Sequence, residues 1–507
     1  MHDSQFPRSC DRCYATKERC IRAPDSESCD RCIRLSHECI RKRALKRPGR
    51  RPKKNAPSIP SAPVGGDGAS SPSPALDDAS ASHETSLSSS SMVDHVVADL
   101  GLSTVEASLL RTSILSSEFM EQFIIGPSFG EAHREYMARQ LHDAPATLGH
   151  AYVASAMSWG DDSDVASPEP GSSTARVEYF EKMYHHATEA VATLRSMQPS
   201  NAREMCRCLV LGATILTFTL KLRVADARAI CRQTLEMAKP VYMSTALLDG
   251  TSPGDLSFAS CLVLTDIAES LLFCEPPTLR YRTVPGQQQC VDRYVGVSHS
   301  FLPLLYDVAE LSFRLKVESG KAGGHSAALA RFALVHSALE QDVRKWTPDG
   351  HGGFAVGKFT STEVAHMLCQ AEAVRNAARL VLHRLKHGFG SQDEVAEAIS
   401  SHILTSLKMT TLGTGSIPRC IDFPLIAACL ELESKSERAN HFSSLSPISS
   451  YSSPFHDRTR IMLDAAWEAR RNGQSLYWYH LSAFIPESFT CTRFAKGRQC
   501  MNASFLP

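Results

Sequence analysis

Cys10, Cys13, Cys20, Cys29, Cys32 and Cys39 follow the spacing C-x2-C-x6-C-x8-C-x2-C-x6-C near the start of a 507-residue chain. The second half of the pattern copies the first. Ser9-Cys10-Asp11-Arg12-Cys13 recurs as Ser28-Cys29-Asp30-Arg31-Cys32, and Cys20-Ile21-Arg22 recurs as Cys39-Ile40-Arg41. Thiolates are soft donors and zinc takes four of them tetrahedrally, so the repeat calls for one metal in each half. Two zinc ions need eight ligand positions, and six sulfurs supply them only when two thiolates bridge both ions. The expectation is one binuclear cluster rather than two separate fingers. Its net charge of minus two would be offset by Arg12, Arg19, Arg22 and Arg31. So short a segment buries too little apolar surface to fold alone, and the metal must supply its folding energy.

Residues 10–39 resemble the fungal Zn2Cys6 binuclear-cluster domain of zinc cluster transcription factors. The resemblance rests on the six cysteine intervals, on Lys17 shortly before the third cysteine, on Pro24 in the connecting loop and on the basic tail after the sixth cysteine. It implies that Cys10 and Cys29 are the bridging ligands and that Lys17 enters the DNA major groove over a short guanine- or cytosine-rich half-site. Tyr14 and Thr16 depart from the pattern, because family members often carry basic residues there. Lys17-Glu18-Arg19-Cys20 is closer to the Lys-x-Arg-Cys ending of regulators resembling that of the aflatoxin pathway, which points to control of a metabolic or secondary-metabolite pathway.

A lysine or arginine reaching a guanine edge contributes discrimination of roughly 1 to 3 kcal/mol, whereas phosphate contacts set affinity and orientation. Lys17 is the candidate reader. Its counterpart in the second repeat is Ser36, so that half is expected to brace the cluster and touch backbone. Arg12, Arg19, Arg22 and Arg31 are candidates for phosphate contact or for charge compensation alone.

A disulfide-stapled exported domain is not expected, since Met1-His2-Asp3-Ser4-Gln5-Phe6 has no apolar core and a basic run follows the cysteines. Residues 41–54 hold nine cations and no acid, beginning with Arg41, Lys42 and Arg43. Such a run is read by nuclear import machinery and also releases counterions from DNA. Residues 1–54 carry sixteen Lys and Arg against seven Asp and Glu, a net of plus nine, and the formally neutral chain must therefore carry minus nine beyond them. A basic head on a mildly acidic body suits a DNA-docking module joined to a protein- or ligand-binding body.

Four segments follow from composition: 1–40 for the cluster, 41–54 for the basic stretch, 55–92 for a disordered Ser/Pro/Ala-rich linker, and 93–507 for an all-helical regulatory domain. The apolar patch of Val93, Val96, Val97 and Leu100 is too brief for a paired helix. Ser103 and Glu106 read as a capping box opening a helix through Leu109, Leu110, Ile114 and Phe119. Val177, Phe180, Met183, Tyr184, Ala187, Val191 and Leu194 mark the face of a second helix. A third runs through Val364, Met367, Leu368, Ala371, Val374, Ala378, Val381 and Leu385 to a stop at Lys386, His387 and Gly388. The apolar runs Cys208–Leu220 and Phe258–Phe273 read as core helices, too short or too interrupted to span a bilayer, so no membrane partner is expected. The stretch from Ala187 to Pro277 is similar to the helical regulatory region that accompanies fungal zinc clusters.

The body offers no catalytic constellation. Gly352–Lys358 has phosphate-loop spacing until Phe359 replaces the required Ser or Thr. Cys206 and Cys208 point to different sides of a helix, and His185 and His186 read as surface imidazoles. Trp159 with Asp161, Asp162 and Asp164 reads as a solvated loop, and Ser443–Ser453 as a regulated loop or a tolerated insertion. The expected function is therefore a nuclear, sequence-specific, double-stranded-DNA-binding regulator. Two Zn2+ ions hold its reading head, and its all-α body recruits transcription machinery or coactivators. Family analogy favours an RNA polymerase II activator over a repressor and leaves a homodimer open. The competing class is an enzyme or ligand-binding protein with an accessory zinc cluster.

Overall fold

In the computed structural model the described residues are 10, 13, 20–21, 28–34, 39, 88–116, 122–160, 173–222, 227–248, 251, 254–282, 291–348 and 358–485. The chain divides into two units, Met1–His83 and Glu84–Pro507. Within the first, the described backbone includes one short helix, α1 (Asp30–Arg34).

The body is helical because its apolar residues recur at helical spacing and find partners on neighbouring helices. No strand occurs among the described residues, and the only extended pairings there are isolated bridges between Asp292 and Gly296 and between Phe389 and Leu476. The first body helix, α2 (Ser89–Asp99), starts where the Ser88 hydroxyl accepts from the Ser91 N–H, and so takes in the end of the serine run. It buries Met92, Val93 and Val96 against the body. In α3 (Thr104–Leu115) the expected capping box is present, with Ser103 N–H donating to Glu106 over 2.8 Å. Phe119 lies outside the described residues.

The next helices are α4 (Gly130–Asp143), α5 (Pro145–Gly160), α6 (Ser173–Ser196), α7 (Ala202–Leu222), α8 (Ala227–Tyr242) and α9 (Ser257–Phe273). α7 contains the expected core run and is long and apolar enough to cross a membrane, yet most of it is buried inside the body. It crosses α8 at Gly212, where a Cβ would fall 2.1 Å from Thr234 Oγ1, so only glycine permits the close approach. The two acids that interrupt α9 are both partnered. Asp266 accepts from Thr278 N–H over 2.6 Å, and Glu269 pairs with Arg458 at 2.8 Å.

The remaining helices are α10 (Leu302–Ser319), α11 (Gly324–Lys345), α12 (Ser361–Lys386), α13 (Asp393–Thr414), α14 (Asp422–Cys429), α15 (Lys435–Leu445) and α16 (Ser453–Arg471). α12 runs antiparallel to α13, as the pairs His366–Thr414, Cys369–Ser406 and Glu372–His402 show. At its end the buried Arg384 uses its fork on Glu431 at 2.9 and 2.6 Å, on Asp393 at 2.6 Å and on the Gly388 and Ser391 carbonyls at 3.0 Å. Removing one partner of such a buried pair typically costs about 3 to 5 kcal/mol, because the other charge is stranded.

Several sequence expectations need correction. On α6 the expected Met183, Ala187 and Leu194 are buried, with Ala190 beside them, but Val177 and Tyr184 are 49% and 40% exposed. Leu368 on α12 is exposed. α12 does end at the expected stop, closing through His387 in extended geometry, but Gly388 serves there as a close approach, since a Cβ would sit 2.8 Å from the Leu476 carbonyl oxygen. Trp159 belongs to the last turn of α5, not to a loop, and packs on Tyr451 and Phe123 beneath the Lys221 ammonium. The acids that follow it lie outside the described residues. Ser443–Ser453 is no inserted loop: it runs from the last residues of α15 through a short 3-10 turn at Ile448–Ser450 to the first residue of α16, with buried Ser446 donating to the Asp422 carboxylate. His186 is no surface imidazole: its side chain is 13% exposed and it faces Glu106 and His150.

Candidate metal centre

The repeat seen in the sequence is also a repeat in geometry. Cys10 N–H donates to Cys20 Sγ over 3.4 Å, and Cys29 N–H donates to Cys39 Sγ over the same distance. In each C-x2-C pair the second cysteine's N–H points at the first cysteine's sulfur, as in Cys13 N–H to Cys10 Sγ at 3.4 Å. In the second half the pair opens α1, where Ile33 N–H donates to the Cys29 carbonyl over 3.0 Å.

The six sulfurs form two quartets. One is Cys10, Cys13, Cys20 and Cys29, the other Cys10, Cys29, Cys32 and Cys39, and within each the sulfurs lie within 4.8 Å of one another. Cys10 and Cys29 belong to both. Cys10 Sγ is 3.8 Å from the sulfurs of Cys29 and Cys32, and Cys13 Sγ is 3.7 Å from Cys29 Sγ. A tetrahedral metal with bonds of about 2.3 Å to sulfur sets its ligands about 3.8 Å apart, so the spacing fits. A disulfide would need about 2.05 Å.

Cys10, Cys13, Cys29 and Cys32 are buried, while Cys20 and Cys39 are half-buried. The Cys32 backbone N–H, aided by neighbouring thiols, brings Cys29 down to about 6. Burial opposes ionisation of Cys10, yet the Cys13 N–H and the thiols around it hold that sulfur below the ordinary thiol range as well. Burial first, then the sulfurs of Cys29, Cys10 and Cys39, pushes Cys32 up. The two sulfurs common to both quartets are thus favoured as thiolates, the form that binds metal. This donor set can hold metal ions and is consistent with a zinc cluster.

Of the other sequence candidates, Arg31 lies on α1. Arg12, Lys17, Arg19, Arg22, Arg41, Lys42 and Arg43 lie outside the described residues, as do Gly352–Gly357 of the phosphate-loop lookalike. Its Phe359 packs against Phe129. Cys206 and Cys208 are buried thiols pushed up to about 12 by that burial.

Comparison with known families gives one match, the fungal specific transcription factor domain, over residues 137–488. The match begins inside α4 and covers well over half of the chain. No curated protein and no solved structure matches it.

Proposed function

The chain belongs to the fungal specific transcription factor family, and from that premise we propose that it is a sequence-specific DNA-binding regulator whose reading head is a binuclear zinc cluster. Family membership makes transcriptional regulation its class of activity and points away from an enzyme. The observation that carries the finer reading is the sharing of Cys10 and Cys29 by both sulfur quartets, which is how six thiolates provide eight ligand positions. Cys13 and Cys20 complete one zinc site, and Cys32 and Cys39 complete the other.

The metal fixes a turn of chain rather than performing chemistry, and it rigidifies a surface whose cations meet DNA. Lys17 reads a base edge in a short GC-rich half-site. Arg12, Arg19, Arg22, Arg31, Arg41, Lys42 and Arg43 contact phosphate or offset the thiolate charge. The basic stretch 41–54 directs the chain to the nucleus, and the helical body recruits the transcription machinery to activate RNA polymerase II genes. Selecting bound duplexes from a random pool with the purified, zinc-loaded chain tests this proposal. A recovered GC-rich motif, lost on chelation of zinc, is expected. Recovery of unrelated sequences, with or without zinc, would overturn it.

A further inference from the structure

Three histidines and a carboxylate meet in the body, where α3, α5 and α6 pack together. His150 Nδ1 on α5 lies 2.8 Å from His186 Nδ1 on α6, and His186 Nε2 lies 3.5 Å from Glu106 Oε1 on α3. The side chains of His186 and Glu106 are only 13% and 10% exposed. His150 is half-buried beside them. His185 stands exposed at the rim, its ring centroid 6.2 Å from that of His150 and 5.9 Å from that of His186.

The neighbours favour one pair of tautomers. Glu106 accepts from Ser103 N–H at 2.8 Å and from Ser103 Oγ at 2.7 Å. Burial opposes its ionisation, but those bonds hold its carboxyl below the usual range. A carboxylate beside His186 Nε2 places the imidazole proton there, so the Nδ1 lone pair of His186 faces His150. Its neighbour then donates from Nδ1 across the 2.8 Å gap. An imidazole that gives its outer N–H to a carboxylate and turns its inner lone pair into a shared gap is oriented as metal-ligating histidines are. Burial foremost, then His150, holds His186 below the ordinary histidine range, so its lone pair is available at neutral pH.

We propose that His150 and His186 bind a divalent zinc-class ion, with Glu106 as the orienting carboxylate and His185 swinging in from the rim as a third ligand. A tetrahedral ion with bonds of about 2.0 to 2.1 Å to nitrogen needs its ligands about 3.3 Å apart, so the gap opens by about half an ångström. The His150 proton moves from Nδ1 to Nε2 as the ion enters, and the neutral pair loses no proton. Lys182, the nearby cation on α6, is engaged with Glu178 at 3.1 Å. The ion ties together three helices that sequence separates. The site shares no residue with the cysteine cluster, so either can fail without the other.

X-ray absorption on the zinc-loaded full-length chain tests the proposal without any variant. An imidazole nitrogen shell at about 2.0 Å beside the sulfur shell at about 2.3 Å is expected, and an all-sulfur environment would overturn it. Zinc content after dialysis against fixed free zinc gives a second readout. Folded His150→Gln and His186→Gln chains are each expected to lose one equivalent relative to wild type, whereas Cys10→Ser keeps that equivalent. Glu106→Gln is expected to weaken this site by about 10- to 100-fold. Unchanged zinc content in either histidine variant would refute the assignment.

Discussion

The sharing of two sulfurs between two quartets makes the six cysteines unequal. Replacing Cys13 with serine removes a ligand from one quartet only, leaving Cys10, Cys29, Cys32 and Cys39 complete. Replacing Cys10 removes a ligand from both. Serine is a poor substitute, because its hydroxyl does not ionise near neutral pH as a thiol does. A structural zinc contributes roughly 10 to 16 kcal/mol of apparent folding free energy, far more than so short a segment gains by burying side chains. Cys13→Ser, and equally Cys20→Ser, Cys32→Ser or Cys39→Ser, should therefore retain one zinc and part of the fold. Cys10→Ser and Cys29→Ser should retain none in the cluster and leave residues 10–39 unfolded. Native mass spectrometry counts the metal, and nitrogen-correlated NMR of the same samples reports the fold. A Cys10→Ser chain whose cluster keeps one zinc, as that of Cys13→Ser does, would refute the bridging assignment.

The other consequences are more local. Lys17→Ala should reduce preference among half-sites by roughly 1 to 3 kcal/mol while changing nonspecific binding less; equal losses on every duplex in a binding titration would make Lys17 a phosphate contact. Deleting residues 41–54 should lower nuclear accumulation of a fluorescent fusion and flatten the salt dependence of binding by about 0.9 for each phosphate no longer neutralised. Unchanged import and slope would leave the tail without either role. Burial raises the Asp422 carboxyl from 3.8 to about 6 despite the hydrogen bonds it accepts from Ser446 Oγ and Ile448 N–H. The folded state then holds a proton that the unfolded chain releases, so stability is full below about pH 4 and falls as pH rises to about 6, by roughly 2 to 3 kcal/mol. Asp422→Asn keeps an accepting oxygen and should melt above wild type near pH 7.5 but level with it near pH 4; the same gap at both would exclude titration of Asp422 as its source.

What could be read from the sequence divides along a physical line. A candidate metal-ligand set is legible because coordination demands particular atoms at short chain intervals, and the cysteine spacing carries the bridging arithmetic that the two sulfur quartets fit. Helix starts with a reciprocal cap are legible too, since Ser103 and Glu106 satisfy each other within one turn. Faces are less so. Apolar type at helical spacing counts Val177, Tyr184 and Leu368 as core, yet all three are exposed, because the position of the neighbouring helix decides which part of a broad apolar stripe is covered. Pairings between distant segments are invisible. His150 and His186 stand 36 positions apart, and nothing in either local sequence announces the other. Gly388 looks like a cap by type, while its real constraint is the carbonyl of the distant Leu476.

The two units are therefore stable for different reasons. In the body, α7, α9 and α12 bury apolar side chains on most sides, and the costly buried charges are paired, as Arg384 is with Glu431 and Asp393. Its stability follows from packing and responds to cavities and stranded charges. Among the described residues of the amino-terminal unit the buried cluster is made of sulfurs, those of Cys10, Cys13, Cys29 and Cys32. Ionised sulfurs 3.7 to 3.8 Å apart repel one another, so convergence of the thiolate forms is favoured when cations stand between them. Family membership accounts for the helices, and the two sulfur quartets that share Cys10 and Cys29 form a donor set able to hold metal ions.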